Sequence, residues 1–163
     1  MRHAIIGLAA LGILSGCSEG VSSAQDAADV AEIEAMHDMP QVQPAELERI
    51  GYTDIEKNDL FGAGCGFAPG GGMAIVFLAQ EERGYIKQDG KIEALAPDKG
   101  SAGLPMPGYA RYDGSDLSIE LSLEENDGQA DGIENTKYPG KLMIRDTKGR
   151  TVYEKDGTVG CGS

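Results

Sequence analysis

Through residues 117–123 apolar and polar positions alternate, with Leu117, Ile119, Leu121 and Leu123 on one parity and Ser118, Glu120 and Ser122 on the other. Period two is the mark of a strand with one face buried. Residues 84–87 and 91–96 flank Gln88-Asp89-Gly90, and Asp-Gly between two such runs predicts a hairpin. A second hairpin is expected where 141–145 and 150–154 flank Asp146-Thr147-Lys148-Gly149. Residues 73–79 are almost wholly apolar and follow the breaker Gly70-Gly71-Gly72, which predicts a central strand; 158–161 suit a last short one. Strands spaced about ten residues apart point to a mainly β fold, a small antiparallel barrel or sandwich of about six to eight strands.

Ahead of the strands the signals are helical. Ser23 and Asp26 open an Ala- and Glu-rich stretch in the form of a capping box, with a stop at Pro40. Pro44 at a first turn and Gly51 just past an end predict a short helix over 44–50, with Leu47 and Ile50 on its buried face. Thr53 and Glu56 repeat the capping-box spacing before Leu60. The expected organisation is a leader over 1–16, an acidic tether over 17–43, a short helical lead-in over 44–60 and a β-domain over 61–163.

Charge sharpens that division. The chain has 163 residues and a formal net charge of −13, enough for one compact domain. Residues 18–60 carry eleven acidic and two basic side chains, and no aromatic residue precedes Tyr52 there. Like charge with low hydrophobicity does not offset chain entropy, so 18–43 reads as a solvated tether. A nucleic-acid partner is not expected, because phosphate backbones demand a basic footprint.

Residues 1–17 read MRHAIIGLAALGILSGC. Arg2 supplies a positive start, and Ala4 to Leu14 is an unbroken apolar and Gly run, about half a bilayer core in length if helical. Leu14-Ser15-Gly16-Cys17 resembles the lipobox of bacterial lipoproteins. The resemblance implies cleavage after Gly16, lipidation of Cys17, and stable anchoring to the cell envelope through several acyl chains. Ser18 at the following position, in place of Asp, implies the outer membrane, facing the periplasm. The alternative is an ordinary secreted chain with Cys17 as a spare thiol.

Two cysteines remain, Cys65 and Cys161. In an oxidising envelope they are expected to form one structural disulfide, tying the start of the β-domain to its tail. Neither has a Cys-x-x-Cys spacing or a nearby His, so a redox or metal role is not indicated.

Absences bound the chemistry. His3 lies in the leader and His37 in the tether, so residues 38–163 contain no histidine. A Ser-His-Asp or Cys-His nucleophile has no base there, and no enzyme or cofactor is predicted. The Gly-rich stretch 62–72 lacks the Lys-Ser/Thr ending of a phosphate loop and reads as a flexible loop beside the disulfide. A carboxylate-based hydrolase of cell-wall glycan is the enzyme-class alternative, with Glu81, Glu82, Glu93, Glu120, Glu124 and Glu125 as its acids and bases; solvated charges are the plainer account. Asp127 and Asp131 fall on positions one and five of an EF-hand-like loop, but Tyr138 stands where that loop needs Glu, so the stretch reads as a polar hairpin loop and no metal is assigned.

The stretch 100–108, GSAGLPMPG, is the other long connection. Leu104 and Met106 between prolines, followed by Tyr109, Arg111 and Tyr112, form a candidate contact site, since interfaces are enriched in Tyr, Arg and Met. The alternative is that Leu104 and Met106 cap one end of the barrel.

The lipobox, the two cysteines near the domain's ends, Tyr85-Ile86-Lys87-Gln88-Asp89-Gly90-Lys91 leading to Leu95, and Ala110-Arg111-Tyr112 together resemble the membrane-bound lysozyme inhibitors of the c-type. That resemblance implies an eight-stranded antiparallel barrel with a loop entering the cleft of a basic lysozyme, a partner that suits an acidic chain. Met106-Pro107-Gly108-Tyr109 stands where the family carries a Ser-Gly run, and 117–123 has no counterpart of its later Lys. The leading expectation is therefore broader: an envelope lipoprotein whose β-domain binds a ligand or protein without catalysis.

Overall fold

A computed structural model of the chain describes residues 23–37 and 41–163. The leader, Cys17 and Pro40 lie outside them. The chain divides into two units between Gln41 and Val42. In the first, α1 (Ser23–His37) forms over the Ala- and Glu-rich stretch. The second holds α2 (Tyr52–Asn58) and nine strands: β1 (Gly64–Pro69), β2 (Phe77–Ala79), β3 (Gly84–Gln88), β4 (Lys91–Pro97), β5 (Arg111–Asp113), β6 (Leu117–Leu123), β7 (Gln129–Ala130), β8 (Thr136–Asp146) and β9 (Thr151–Gly162).

Every pairing is antiparallel. β1 to β6 follow one another, β6 pairs with β8, β8 with β9 and β9 with β1, which closes an eight-stranded barrel. The two-residue β7 pairs with β8 as a ninth strand outside that ring. Closure pairs most of the strand edges that a flat sheet of these strands would expose.

The alternation of apolar residues fills the interior. Phe67, Phe77, Ile86, Leu95, Tyr112, Ile119, Leu121, Leu142, Ile144 and Val159 are all fully buried, and every one of the eight barrel strands supplies at least one of them. Burial of each such side chain contributes roughly 1.5–3 kcal/mol before chain entropy is counted. Among the described residues no charged side chain is buried. The barrel is a packed core and not a channel.

Both predicted hairpins form. Asp89 and Gly90 have φ of 48° and 72°, the paired left-handed conformation of a two-residue turn that matches strand twist. Cys65 and Cys161 lie directly opposite each other on β1 and β9 and are disulfide-bonded, with Cα atoms 4.1 Å apart.

Several expectations about local structure are corrected. Residues 44–50 are not a helix but an extended strap. Ala45 N–H donates to Val152 O, Glu48 N–H to Lys87 O and Ile50 N–H to Ile75 O, each at 2.8–2.9 Å. Burying Ile50 and packing Leu47 on the core outweighs the local helix signal of Pro44. Gly51 instead precedes α2, with its N–H donating to Asp54 Oδ2 at 2.9 Å, so the cap runs through Asp54 and not through Thr53. The strap and α2 fall in one compact unit with the strands, Val42–Ser163.

The Gly-rich stretch 62–72 is not a loop throughout, because its middle is β1. Gly64 and Gly66 are there for close approach: a Cβ on Gly64 would collide with the Ala79 carbonyl, and one on Gly66 with the Ile75 side chain. The strand predicted over 73–79 is confined to Phe77–Ala79, since Ile75 lies across the outer side of Gly66 and Met73 is fully exposed. The polar connection after β6 is more structured than a hairpin loop, holding a single 3-10 turn at Glu125–Asp127 and then β7.

Candidate functional site

The end of the barrel where β4 stops and β5 begins is closed by residues 98–110. Asp98 starts the excursion: its carboxylate accepts from Gly100 N–H at 3.0 Å and its carbonyl from Ser101 Oγ at 2.7 Å. The two arms then zip together. Ala110 N–H donates to Ala102 O at 2.8 Å, Gly103 and Tyr109 form an isolated bridge, and Leu104 N–H donates to Gly108 O at 3.1 Å. What remains at the tip is Pro105-Met106-Pro107, whose prolines fix two backbone angles and are exposed.

Leu104, Met106 and Tyr109 are half-buried and pack against the core, so the three apolar members of the predicted contact site come together on this end. They cap the barrel and at the same time present their outer surfaces beside Glu81. The cap reading of Leu104 and Met106 is the structural part of the answer.

Tyr112 is not a surface contact. It is fully buried in β5, its ring edge-on to Phe77 with centroids 5.5 Å apart. Its hydroxyl donates to Gln80 O at 2.7 Å and accepts from Tyr109 N–H at 3.0 Å, while burial pushes its pKa up. On a short strand neighbouring side chains face opposite ways, so Tyr112 inward forces Arg111 outward. Arg111 stands on the outer wall, opposite Glu120 of β6, and is separated from the loop tip.

The carboxylates of the hydrolase alternative are scattered. Glu81 and Glu82 sit in the β2–β3 turn, Glu93 on β4, Glu120 on β6, and Glu124 and Glu125 about the 3-10 turn, and every one is exposed. A glycosidase acid needs a pKa raised by apolar surroundings. Asp54 and Asp146 move the other way. The Lys87 ammonium and the Gly51 N–H hold Asp54 below the usual carboxylate range. At Asp146 burial opposes ionisation, but hydrogen bonds from Arg150 and the Lys148 N–H outweigh it and the net shift is downward.

The calcium candidates do not converge. Asp127 ends the 3-10 turn, and Asp131 pairs with Lys137 at 2.8 Å. Among the described residues no group of three or more His, Cys, Asp or Glu is placed to hold a metal ion. Nor is any described helix long and apolar enough to cross a membrane.

The chain matches no protein-family model, no curated protein and no solved structure.

Proposed function

We propose that this chain is an acyl-anchored protein of the bacterial envelope whose barrel binds a partner protein, without catalysis, through the end built by residues 103–109. The observation that carries the reading is the tip itself: an apolar, proline-stiffened segment, latched by a bridge and by Tyr112, with Leu104, Met106 and Tyr109 partly exposed on it. A rigid apolar tip loses little conformational freedom on binding. An interior filled by apolar side chains leaves recognition to the surface. The net charge of −13 favours a basic partner by speeding encounter.

A second reading, inhibition of a basic c-type lysozyme, is favoured by the closed eight-stranded antiparallel barrel, which is the architecture that the resemblance of Tyr85–Lys91 and Ala110-Arg111-Tyr112 implies. One experiment addresses both. The protein is added to a lysis assay with a basic c-type lysozyme and, separately, used to pull down partners from its native envelope, each with wild type and Met106→Asp. Slowed lysis that Met106→Asp abolishes supports the inhibitor; unchanged lysis with a captured protein lost in Met106→Asp supports the broader reading. Capture that is indifferent to Met106→Asp removes the tip from both. Anchoring is tested by mass spectrometry at Cys17, where a free thiol on the mature native protein overturns it.

A further inference from the structure

The barrel is not stitched evenly. β8 and β9 pair along almost their whole length, but β4 meets β5 only at Ala96↔Asp113 and Pro97↔Tyr112, beyond which Asp98 N–H donates to Arg111 O at 2.9 Å. From Lys91 to Leu95, β4 has a partner on one side alone, β3. The parity of the ladder says which groups are left over. Lys87 turns its carbonyl away from β4, to Glu48 N–H, and Asp98 turns its N–H towards β5. Residues 91, 93 and 95 therefore bond to β3, and the N–H and C=O of Ile92 and Ala94 point out of the ladder into the seam. No hydrogen bond engages either residue on that side. A groove runs there, between Glu93, Ala94 and Leu95 on one bank and the β5–β6 turn of Gly114, Ser115 and Asp116 on the other.

An unpaired row of backbone donors and acceptors beside an open groove is a template for one more strand. Glu93 and Asp116 line this one, and Asp113 and Asp89 flank it. None of these four carboxylates is in an ion pair, whereas Lys91 is the single cation on the open stretch. A second copy of this chain would bring its own acidic bank and its charge of −13 against the first. We infer that the open edge of β4 at Ile92 and Ala94 binds an extended, basic peptide segment of another protein by strand addition. This surface lies at the opposite ends of β4 and β5 from the 103–109 tip and does not depend on it.

The test uses the full chain in detergent and a capped Lys-Val-Lys-Val-Lys peptide, with Glu-Val-Glu-Val-Glu as control. Amide exchange is followed by NMR as the peptide is added. The expected result is saturable binding of the basic peptide, protection of the Ile92 and Ala94 amides, and at least tenfold weaker binding of the acidic one. Ala94→Pro deletes a donor that the β3 ladder does not use, on an edge where Pro is tolerated; it should keep the melting temperature and weaken binding at least tenfold. Glu93→Gln, at an exposed side chain, should weaken the basic peptide and narrow its advantage over the acidic one. No binding at millimolar peptide, protection elsewhere in the barrel, or full affinity in Ala94→Pro overturns the proposal. So does a dimer of the free chain that Ala94→Pro dissolves, which would put a second copy on the edge.

Discussion

The Tyr112 hydroxyl lies 2.7 Å from the Gln80 carbonyl, joining the middle of β5 to the β2–β3 turn from inside the barrel. The same oxygen accepts from Tyr109 N–H at 3.0 Å, so one buried ring fixes both the turn and the base of the 103–109 loop. Tyr112→Phe keeps the ring and its edge contact with Phe77 but strands one carbonyl and one N–H. Leaving a buried polar group unpaired costs about 1–3 kcal/mol. Urea unfolding should show a loss in that range, and the Tyr109 amide should exchange faster than in wild type while the β8–β9 amides keep their protection. An unchanged Tyr109 rate would mean that the loop is held by its own bridge.

Cys65 and Cys161 close a loop with a sequence separation of 96. The chain-entropy account assigns a closure of that size about 4–5 kcal/mol, acting mainly by restricting the unfolded chain. Because β1 and β9 pair through six registered positions around the disulfide, the strands should stay paired after its removal. The Cys65→Ala, Cys161→Ala double variant is expected to keep the far-ultraviolet circular dichroism of the native protein and to unfold at much lower urea. Loss of the β signal in the absence of urea would show that the bond is needed to form the barrel and not merely to stabilise it.

Legibility in the sequence followed how local the deciding interaction was. β6 announced itself through Leu117, Ile119, Leu121 and Leu123, and the β3–β4 hairpin through Asp89-Gly90, because strand alternation and turn backbone are properties of adjacent residues. β1 was hidden. Its Gly64 and Gly66 are small so that Ala79 and Ile75 can approach, a requirement set by residues far along the chain, and glycine read locally means loop. The strap over 44–50 was hidden for a related reason, since its N–H groups are satisfied by Val152, Lys87 and Ile75 and not by its own turn. At the candidate site the composition of 103–109 was enough to mark Leu104, Met106 and Tyr109. The facing of Tyr112 was not readable, because a three-residue strand has too few positions to declare which parity is inside. The open stretch of β4 was equally silent, being a consequence of how short β5 is.

Gly84 faces into the barrel beneath two rings. A Cβ there would come within 2.8 Å of the Tyr112 ring and 3.0 Å of Phe77, closer than either ring can yield without moving the core. Gly84→Ala should therefore cost about 1–3 kcal/mol, the usual range for overpacking. Gly160, on the outer side of β9, has nothing within 4 Å of the same added atom. Gly160→Ala should change stability by no more than about 0.5 kcal/mol. Thermal unfolding of the pair distinguishes a packing requirement from a general need for glycine flexibility, which would penalise both alike.

Acid sensitivity should centre on the contact between α2 and the barrel. Lys87 Nζ of β3 lies 2.9 Å from Asp54 Oδ1, and Gly51 N–H holds Oδ2 of the same carboxylate at 2.9 Å. The Lys87 hydrogen bond is the larger reason, and the Gly51 N–H the next, that Asp54 ionises more readily here than in an open chain. Asp146 is also held low, by Arg150 against the opposing effect of burial. For both groups the unfolded chain binds protons at a pH where the folded one does not. The stability each contributes is thus fully present above the ordinary carboxylate range and is lost as pH falls through the lowered folded value. Urea midpoints should be level near neutrality and fall on acidification below that range, with no loss of disulfide. Asp54→Asn should lower the neutral midpoint and make the acid decline shallower, since the group that lost its charge is gone. Lys87→Met should do the same through the other partner, and the double variant should be no worse than the more damaging single one. If Asp54→Asn leaves the acid slope as steep as before, the bridge is not what acid breaks, and Asp146 becomes the group to replace.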